Sequence, residues 1–302
     1  MKSLTKNLIR LPFYILNFLA SLYCLLLNIL RNGLGNFWLD NQAEKNRSLK
    51  KIISHTKKHQ TLKFTIFTPN WLCRYRADIF STKEPETLVW IDESEGNSVL
   101  FDIGANIGLY SLYYALSNKG KVYAFEPSVF NLALLAKNIF ENNQQDKIKI
   151  ITNPLTQSNQ FANFTLSSEE EGAALSAFGV EYGHDGQMIE KKLSYQTLGF
   201  SLDFLIRNKI ITERPNLIKI DVDGIEHLIL AGAIETLKHP SCKTVLVEIN
   251  NSFNQQRELA SKILLDCGFI QKEKSKAEII RESRFKGASN QIWIKYQTKI
   301  VG

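Results

Sequence analysis

Residues 99–111 (VLFDIGANIGLYS) constrain the fold more than any other part of this chain. Positions 99–103 are apolar and branched or aromatic except for Asp102, the composition of a strand covered on both faces. Gly104 permits a turn where a side chain would clash. Gly108 lets the start of a helix approach the strand or a ligand closely. An acid near the end of a buried strand, then glycines, then a helix, is how an open α/β sheet holds a nucleoside-containing cofactor at its strand ends. An ordinary strand-to-helix turn is the competing reading.

The rest of the chain continues that pattern. From residue 98 onward strands and helices alternate, which predicts a doubly wound, mostly parallel sheet. The expected strands are 98–103, 121–126, 148–152, 217–221 and 244–249, with helices at 107–118, 128–142, 226–237 and 254–266. Segments 269–272 and 291–296 close the sheet as an antiparallel pair. Residues 161–166 form an antiparallel strand, 193–197 a short strand, and 201–208 a helix capped by Ser201. The glycine-rich, acidic stretch 167–190 is long enough to serve as a lid over a substrate, or to be a solvated surface loop. Before the sheet, 44–59 reads as a short amphipathic helix. Segments 62–67 and 71–79 read as a hairpin, and 84–91 starts a helix with Pro85 in its first turn. Three regions follow: 1–40, a hydrophobic basic helix; 41–97, a connecting helix and β-hairpin; 98–302, the catalytic domain.

The cofactor is narrowed by the glycines. A dinucleotide site requires G-x-G-x-x-G, and this chain has G-A-N-I-G, so a pyrophosphate is poorly served. Some twenty residues on, KVYAFEP (121–127) is a second apolar strand ending in Glu126, a carboxylate placed to accept both ribose hydroxyls. That spacing also fits a nicotinamide enzyme. D-x-G-x-N-x-G resembles the first motif of class I S-adenosylmethionine (SAM) methyltransferases. The resemblance implies that Asp102 faces the amino-acid end of the cofactor and that Gly104, Asn106 and Gly108 make room for it, with Glu126 and Pro127 at the sugar.

The second informative stretch is KIDVDGIEH (219–227). It sets Asp221 at a strand end, Asp223 on the turn, and Glu226 and His227 on the first helical turn, all at the carboxyl edge of the sheet. Glu248 ends the neighbouring strand. Asp223 with Glu226 also has the spacing of a structural capping box, and His227 also reads as an exposed helix residue. Ionised groups at the ends of buried strands need a partner or a role, which singles out Asp221 and Glu248. Clustered carboxylates suit Mg²⁺ as well as proton transfer, but nothing in the spacing requires a metal.

The 302 residues carry a net charge of +7. Residues 1–63 hold eleven Lys or Arg against two acids, and the remainder 26 basic against 28 acidic residues, so the excess is N-terminal. A near-neutral catalytic portion argues against nucleic acid as a partner. Cys24, Cys73, Cys242 and Cys267 are scattered, without zinc or disulfide spacing, as in a reducing compartment. Residues 11–30 contain no charge, long enough to just span a bilayer core. Yet Arg10, Asn17, Cys24 and Arg31 recur every seven residues, with Ser21 and Asn28 beside them, forming a narrow polar stripe. A helix lying in an anionic membrane surface would turn that stripe to water. The expectation is a cytoplasmic protein at the inner face of a membrane, against the alternative of a helix packed on its own domain or a partner.

Together DIGANIGLYS, AFEP, TLGFSLDFL (197–205), KIDVDGIEHLILAGA and VEIN resemble the FkbM family of SAM-dependent methyltransferases, and EPETLVWID fits the segment that precedes its domain. The resemblance covers roughly residues 84–297. It implies SAM as cofactor and methyl transfer, usually to a hydroxyl oxygen of a natural product, glycan or lipid-linked sugar. Asp223 departs from the family, which usually has Glu there, and the 11–30 helix lies outside it. On the residues alone, Asp221, Asp223, Glu226, His227 and Glu248 are candidates for the base that an alcohol nucleophile needs. The rival readings are a nicotinamide-dependent oxidoreductase and a membrane-tethered binding protein without catalysis.

Overall fold

The computed structural model describes residues 2–57, 60–118, 120–272 and 287–296. The chain begins with a helical hairpin, α1 (Lys2–Leu30) and α2 (Leu34–Arg47), turned at Gly33 with φ 86°. The polar stripe of α1 faces water only in part. Asn28 Oδ1 accepts the Gly35 N–H at 2.9 Å, and a Cβ on Gly35 would lie 2.2 Å from the Cys24 carbonyl oxygen. Cys24 and Asn28 let the two helices close on each other, so this part of the stripe is the hairpin's seam, while Asn17, Ser21 and Arg31 remain exposed. Tyr23 packs edge-on to Trp38 at 5.5 Å. The apolar face is left outside, with Phe18 68% and Ile29 72% exposed. Among the described residues no helix is long and apolar enough to cross a membrane.

β1 (Lys50–Lys57) and β2 (Gln60–Phe67) form an antiparallel pair. The helix expected over 44–59 is therefore half strand. Ile53 is buried and its neighbour Ile52 is 64% exposed, the alternation of a strand rather than the arc of a helix. The second hairpin arm expected at 71–79 is α3 (Trp71–Lys83), a helix started by Asn70, whose side chain accepts the Cys73 N–H at 2.8 Å. It buries Cys73, Ala77 and Phe80, spaced four and three apart on one face. α4 (Pro85–Asp92) follows, with proline in its first turn.

The alternating core runs as expected: β3 (Val99–Ile103), α5 (Leu109–Ser117), β4 (Lys121–Phe125), α6 (Val129–Glu141) and β5 (Ile148–Ile151). A three-stranded antiparallel sheet is inserted next, from β6 (Gln160–Leu166), β7 (Ser176–Phe178) and β8 (Leu193–Gly199), with β6 central. Then come α7 (Leu202–Arg207), β9 (Leu217–Ile220), α8 (Glu226–Ala231), α9 (Ile234–Lys238), β10 (Thr244–Asn250), α10 (Asn254–Asp266), β11 (Phe269–Gln271) and β12 (Ala288–Lys295). Ser201 caps α7 as expected, accepting the Phe204 N–H at 3.3 Å. The single helix expected at 226–237 breaks at Gly232, where a Cβ would lie 2.2 Å from the Thr156 carbonyl oxygen.

The main sheet has the order β5-β4-β3-β9-β10-β12-β11. β12 is antiparallel to both neighbours, while β3, β4, β5, β9 and β10 run parallel. Alternation sorts side chains into two cores. Phe101, Ile103, Phe125, Ile218, Ile220, Val245 and Val247 meet α7–α9 and α10 on one face. Leu100, Val122, Ala124, Leu217 and Leu246 meet α3–α6 on the other. The strand order reverses between β3 and β9, so their carboxyl ends open a crevice.

Candidate active site

Two adjoining cavities lie over that crevice. The larger, about 160 Å³, is walled by Gly104, Asn106, Glu126, Pro127, Asp221, Asp223 and Glu248. The smaller, about 50 Å³, is bounded by residues 104–107, Tyr110, Lys219 and Asp221. Arg76 and Lys83 of α3 border both.

Glu126 follows β4 and is 5% exposed. One carboxylate oxygen accepts the Asn106 N–H at 2.8 Å, the other the Ser128 N–H at 2.8 Å. Burial lifts its pKa to about 7, against the pull of those amides and of Asn131. Gly104 has φ 85°, and a Cβ there would lie 1.9 Å from the Asp221 carbonyl oxygen, so the close approach of β3 to β9 already demands glycine. Asn106, at φ 51°, donates its side-chain amide to the Ala173 carbonyl at 2.8 Å. Gly108, at φ 89°, is a packing position: a Cβ would press on Leu135 at 2.6 Å.

Asp102 is placed differently from its expectation. Strand alternation turns it to the face opposite Ile103, beneath α5, and it lines neither cavity. It is 1% exposed, and its Oδ2 accepts the Ser111 hydroxyl at 2.6 Å. Its Oδ1 has no partner among the described residues. Directly opposite in the ladder stands Lys219, also 1% exposed. Lys219 reaches the Asp221 carboxylate at 2.9 Å and lies over the Tyr110 ring at 5.1 Å. Burial opposes its charge, but Asp221, Asp102 and Glu84 together hold its pKa above the ordinary lysine value. Burial likewise opposes charge on Asp221, and Lys219, Lys83 and Arg76 outweigh it, so Asp221 stays ionised. The sequence reading missed Lys219; its signal was a lone cation inside an apolar strand, two residues before an acid.

The five proposed acids and bases divide. Asp221, Asp223 and Glu248 line the larger cavity. The charge of Asp221, then burial, drives the pKa of Glu248 well above the carboxylate range. Asp223 accepts the Leu175 N–H at 2.6 Å, and burial raises its pKa. Glu226 lines neither cavity. It accepts the N–H groups of Val222 at 3.2 Å and Gly224 at 3.0 Å, and a bond from Gln256, so it braces the turn. Burial lifts its pKa to about 7. His227 is 2% exposed, packs on Phe253 at 6.0 Å between ring centres, and reaches neither cavity; burial lowers its pKa.

Part of the 167–190 stretch runs over the crevice as a strap, residues 171–176. Ala173, Ala174 and Ser176 wall the larger cavity. Their strap is tied down by Arg76 Nε to the Gly172 carbonyl at 2.6 Å and by Asn70 to the Glu171 carbonyl at 2.9 Å. Asn131 accepts the Gly172 N–H at 2.8 Å. Among the described residues no His, Cys, Asp and Glu group is arranged to hold a metal ion.

This residue set fits a sulfonium nucleoside. It offers a buried acceptor for a ribose diol, a floor free of side-chain bulk, and cations and anions at the far end. The methyltransferase FkbM domain family matches residues 102–270, more than half of the chain. Among curated proteins, the hexuronic acid methyltransferase AglP of Haloferax volcanii is 28% identical, the match covering 53% of this chain and 59% of that protein. The 31-O-demethyl-FK506 methyltransferase FkbM of Streptomyces tacrolimicus is 27% identical, over 53% of this chain and 68% of that one. The chain thus spans about three fifths to two thirds of the relatives it matches. Among solved structures, fibrillarin of Aeropyrum pernix with natively bound SAM aligns with TM-score 0.41 and 10% identity, covering 66% of this chain and 67% of that one. An rRNA methylase of Streptococcus thermophilus aligns with TM-score 0.42 and 13% identity, over 70% and 95%.

Proposed function

We propose that this chain, which belongs to the methyltransferase FkbM domain family, is a SAM-dependent methyltransferase acting on a hydroxyl oxygen of a sugar-containing acceptor. The observation that carries this reading is the meeting of Asp221, Asp223 and Glu248 with Glu126 in one cavity. When bound, SAM supplies a methyl group already activated on a sulfonium. Glu126 would accept the ribose hydroxyls, with Gly104, Asn106 and Pro127 lining the same cavity. Asp102 acts from behind, as a counter-charge to Lys219.

The charge of Asp221 pushes the pKa of Glu248 up while, against burial, Lys219 pulls that of Asp221 down, so Glu248 is the one of the two that more readily holds a proton. Glu248 carries it and donates a hydrogen bond to the acceptor. Asp221, ionised, would orient the attacking hydroxyl and accept its proton as the new carbon–oxygen bond replaces the donor's carbon–sulfur bond, the thioether leaving neutral. Asp223 is committed to the strap, and Glu226 and His227 to structure. Positioning in a closed crevice supplies much of the rate.

A sugar acceptor is favoured by α3. Trp71 and Tyr75 stack at 5.0 Å and 12°, with Trp71 69% exposed, on the helix that carries Arg76 to the cavity. Such a platform suits the apolar face of a pyranose. The name of the Haloferax relative, a hexuronic acid methyltransferase, points the same way. For the N-terminal region we propose attachment of α1 to an anionic membrane surface, supported by its exposed apolar face and the basic excess over residues 1–63. The proposed partition is 1–40 for attachment, 41–97 as connection and 98–302 for catalysis.

The test is transfer of labelled methyl from SAM to a panel of free and lipid-linked sugars, with Asp221→Asn alongside. Product bearing a new methyl ether, lost in the variant while cofactor affinity is kept, supports the reading. A methylated nitrogen or carboxylate would replace it.

A further inference from the structure

Three cations border the smaller cavity, and two have partners. Lys219 pairs with Asp221 at 2.9 Å and Lys83 with Glu84 at 2.5 Å. Arg76 forms no ion pair among the described residues. Its Nε donates to the Gly172 carbonyl at 2.6 Å, and no acceptor among those residues engages its terminal nitrogens. The guanidinium stands where the two cavities meet, beside Lys83, Gly104, Asn106 and Asp221. A planar donor fork, fixed at one nitrogen and in no close ion pair among the described residues, with Asp221 acting on it only at longer range, is suited to a carboxylate. α3 precedes the segment that the family matches, so membership does not assign this residue.

Which carboxylate follows from the direction of the crevice. Glu126 lines only the larger cavity. With the ribose on Glu126, the remainder of the donor leads across Gly104 and Asn106 into the smaller cavity, whose charged rim includes Arg76. We propose that Arg76, flanked by Lys83, binds the carboxylate at the methionyl end of the cofactor. The proposal rests on the methyl-donor reading of the cavities. A carboxylate on an acidic acceptor has the same chemistry and is the alternative source.

Calorimetry with SAM and decarboxylated SAM separates these. The wild-type protein is expected to prefer SAM by about ten- to a hundredfold, the range of a charged hydrogen-bonded pair. Arg76→Met should remove most of that preference while leaving the affinity for decarboxylated SAM unchanged, which also reports that the variant is folded. Arg76→Lys, which keeps charge without the fork, should retain part of it. Equal wild-type affinity for the two ligands overturns the proposal without any variant. So does a variant that weakens both ligands alike, since the arginine then only props the strap. A variant that keeps the preference but raises KM for an acidic acceptor moves the carboxylate to the acceptor and also overturns it. Failure of wild-type protein to bind either ligand would sink the methyl-donor reading itself.

Discussion

Lys219→Met tests the electrostatic base of the site. The wild-type side chain is 1% exposed and separates two carboxylates, Asp102 across the ladder and Asp221 at 2.9 Å. Methionine fills the space but removes the nearest cation from Asp221 and the one across the ladder from Asp102. Removing one partner of a buried pair costs about 3–5 kcal/mol. An unfolding entropy of about 2.1 cal/mol/K per residue, over 302 residues, gives about 0.6 kcal/mol/K, so Tm should fall by roughly 5–8 °C. The pH dependence has a definite sign. In the wild type the depressed pKa of Asp221 contributes stability above the ordinary aspartate value near 3.8, lost as pH falls through the lower folded value. In the variant that carboxylate is unpaired and its folded pKa rises. The deficit is then largest at neutral pH and shrinks as the pH falls through the new value. Adding Asp221→Asn should recover part of the loss, Asp102 still lacking the lysine. Thermal unfolding by circular dichroism at pH 5.5 and 7.5 reads all three outcomes. A single variant no less stable than the double, with a deficit independent of pH, would show that Lys219 does not neutralise Asp221.

Cofactor affinity should rise roughly tenfold between pH 6 and 8, as Glu126, with its pKa near 7, goes from about one tenth to nine tenths ionised; calorimetry with Glu126→Gln should give a flat, weaker profile. The same shift acts oppositely on the free protein, where the stability from Glu126 is present below its unfolded value near 4.5 and lost as pH rises through about 7. Gly104→Ala sets a Cβ against the Asp221 carbonyl at a φ of 85°, so soluble expression should collapse or Tm should drop by several degrees more than for Lys219→Met. His227→Ala should lower Tm by opening a cavity beside Phe253 yet leave kcat within about twofold; a large loss of kcat at unchanged stability would return this histidine to the chemistry. Asp223→Ala unties Leu175 and should speed proteolytic cleavage within 167–190, as seen by peptide mapping.

The parallel core was legible because each strand is mostly apolar and the first helices begin at turn residues, Gly108 before α5 and Ser128 before α6. Gly104 and Glu126 were legible because backbone geometry and strand ends limit what can stand there. The direction in which an acid points was not. Asp102 and Glu126 are alike in sequence, each an acid at the end of an apolar run, and alternation sends one under α5 and the other into the crevice. His227 and Glu226 sit where a catalytic pair could, but a neighbouring helix, α10, closes over them. α3 carried readable signs that the hairpin reading passed over: Asn70 ahead of it and Cys73, Ala77 and Phe80 at helical spacing. The hairpin β1–β2 was half hidden because Leu49, Ile52 and Ile53 imitate a helical face.

The position of β12 has a consequence for how the molecule is made. The last strand of the sheet slots between β10 and β11, both synthesised earlier. Until the ribosome releases that strand, β10 presents a bare edge, Thr244 to Asn250, with every second residue apolar and buried in the finished protein. A nascent chain halted before residue 288 therefore exposes an adhesive flank along β10.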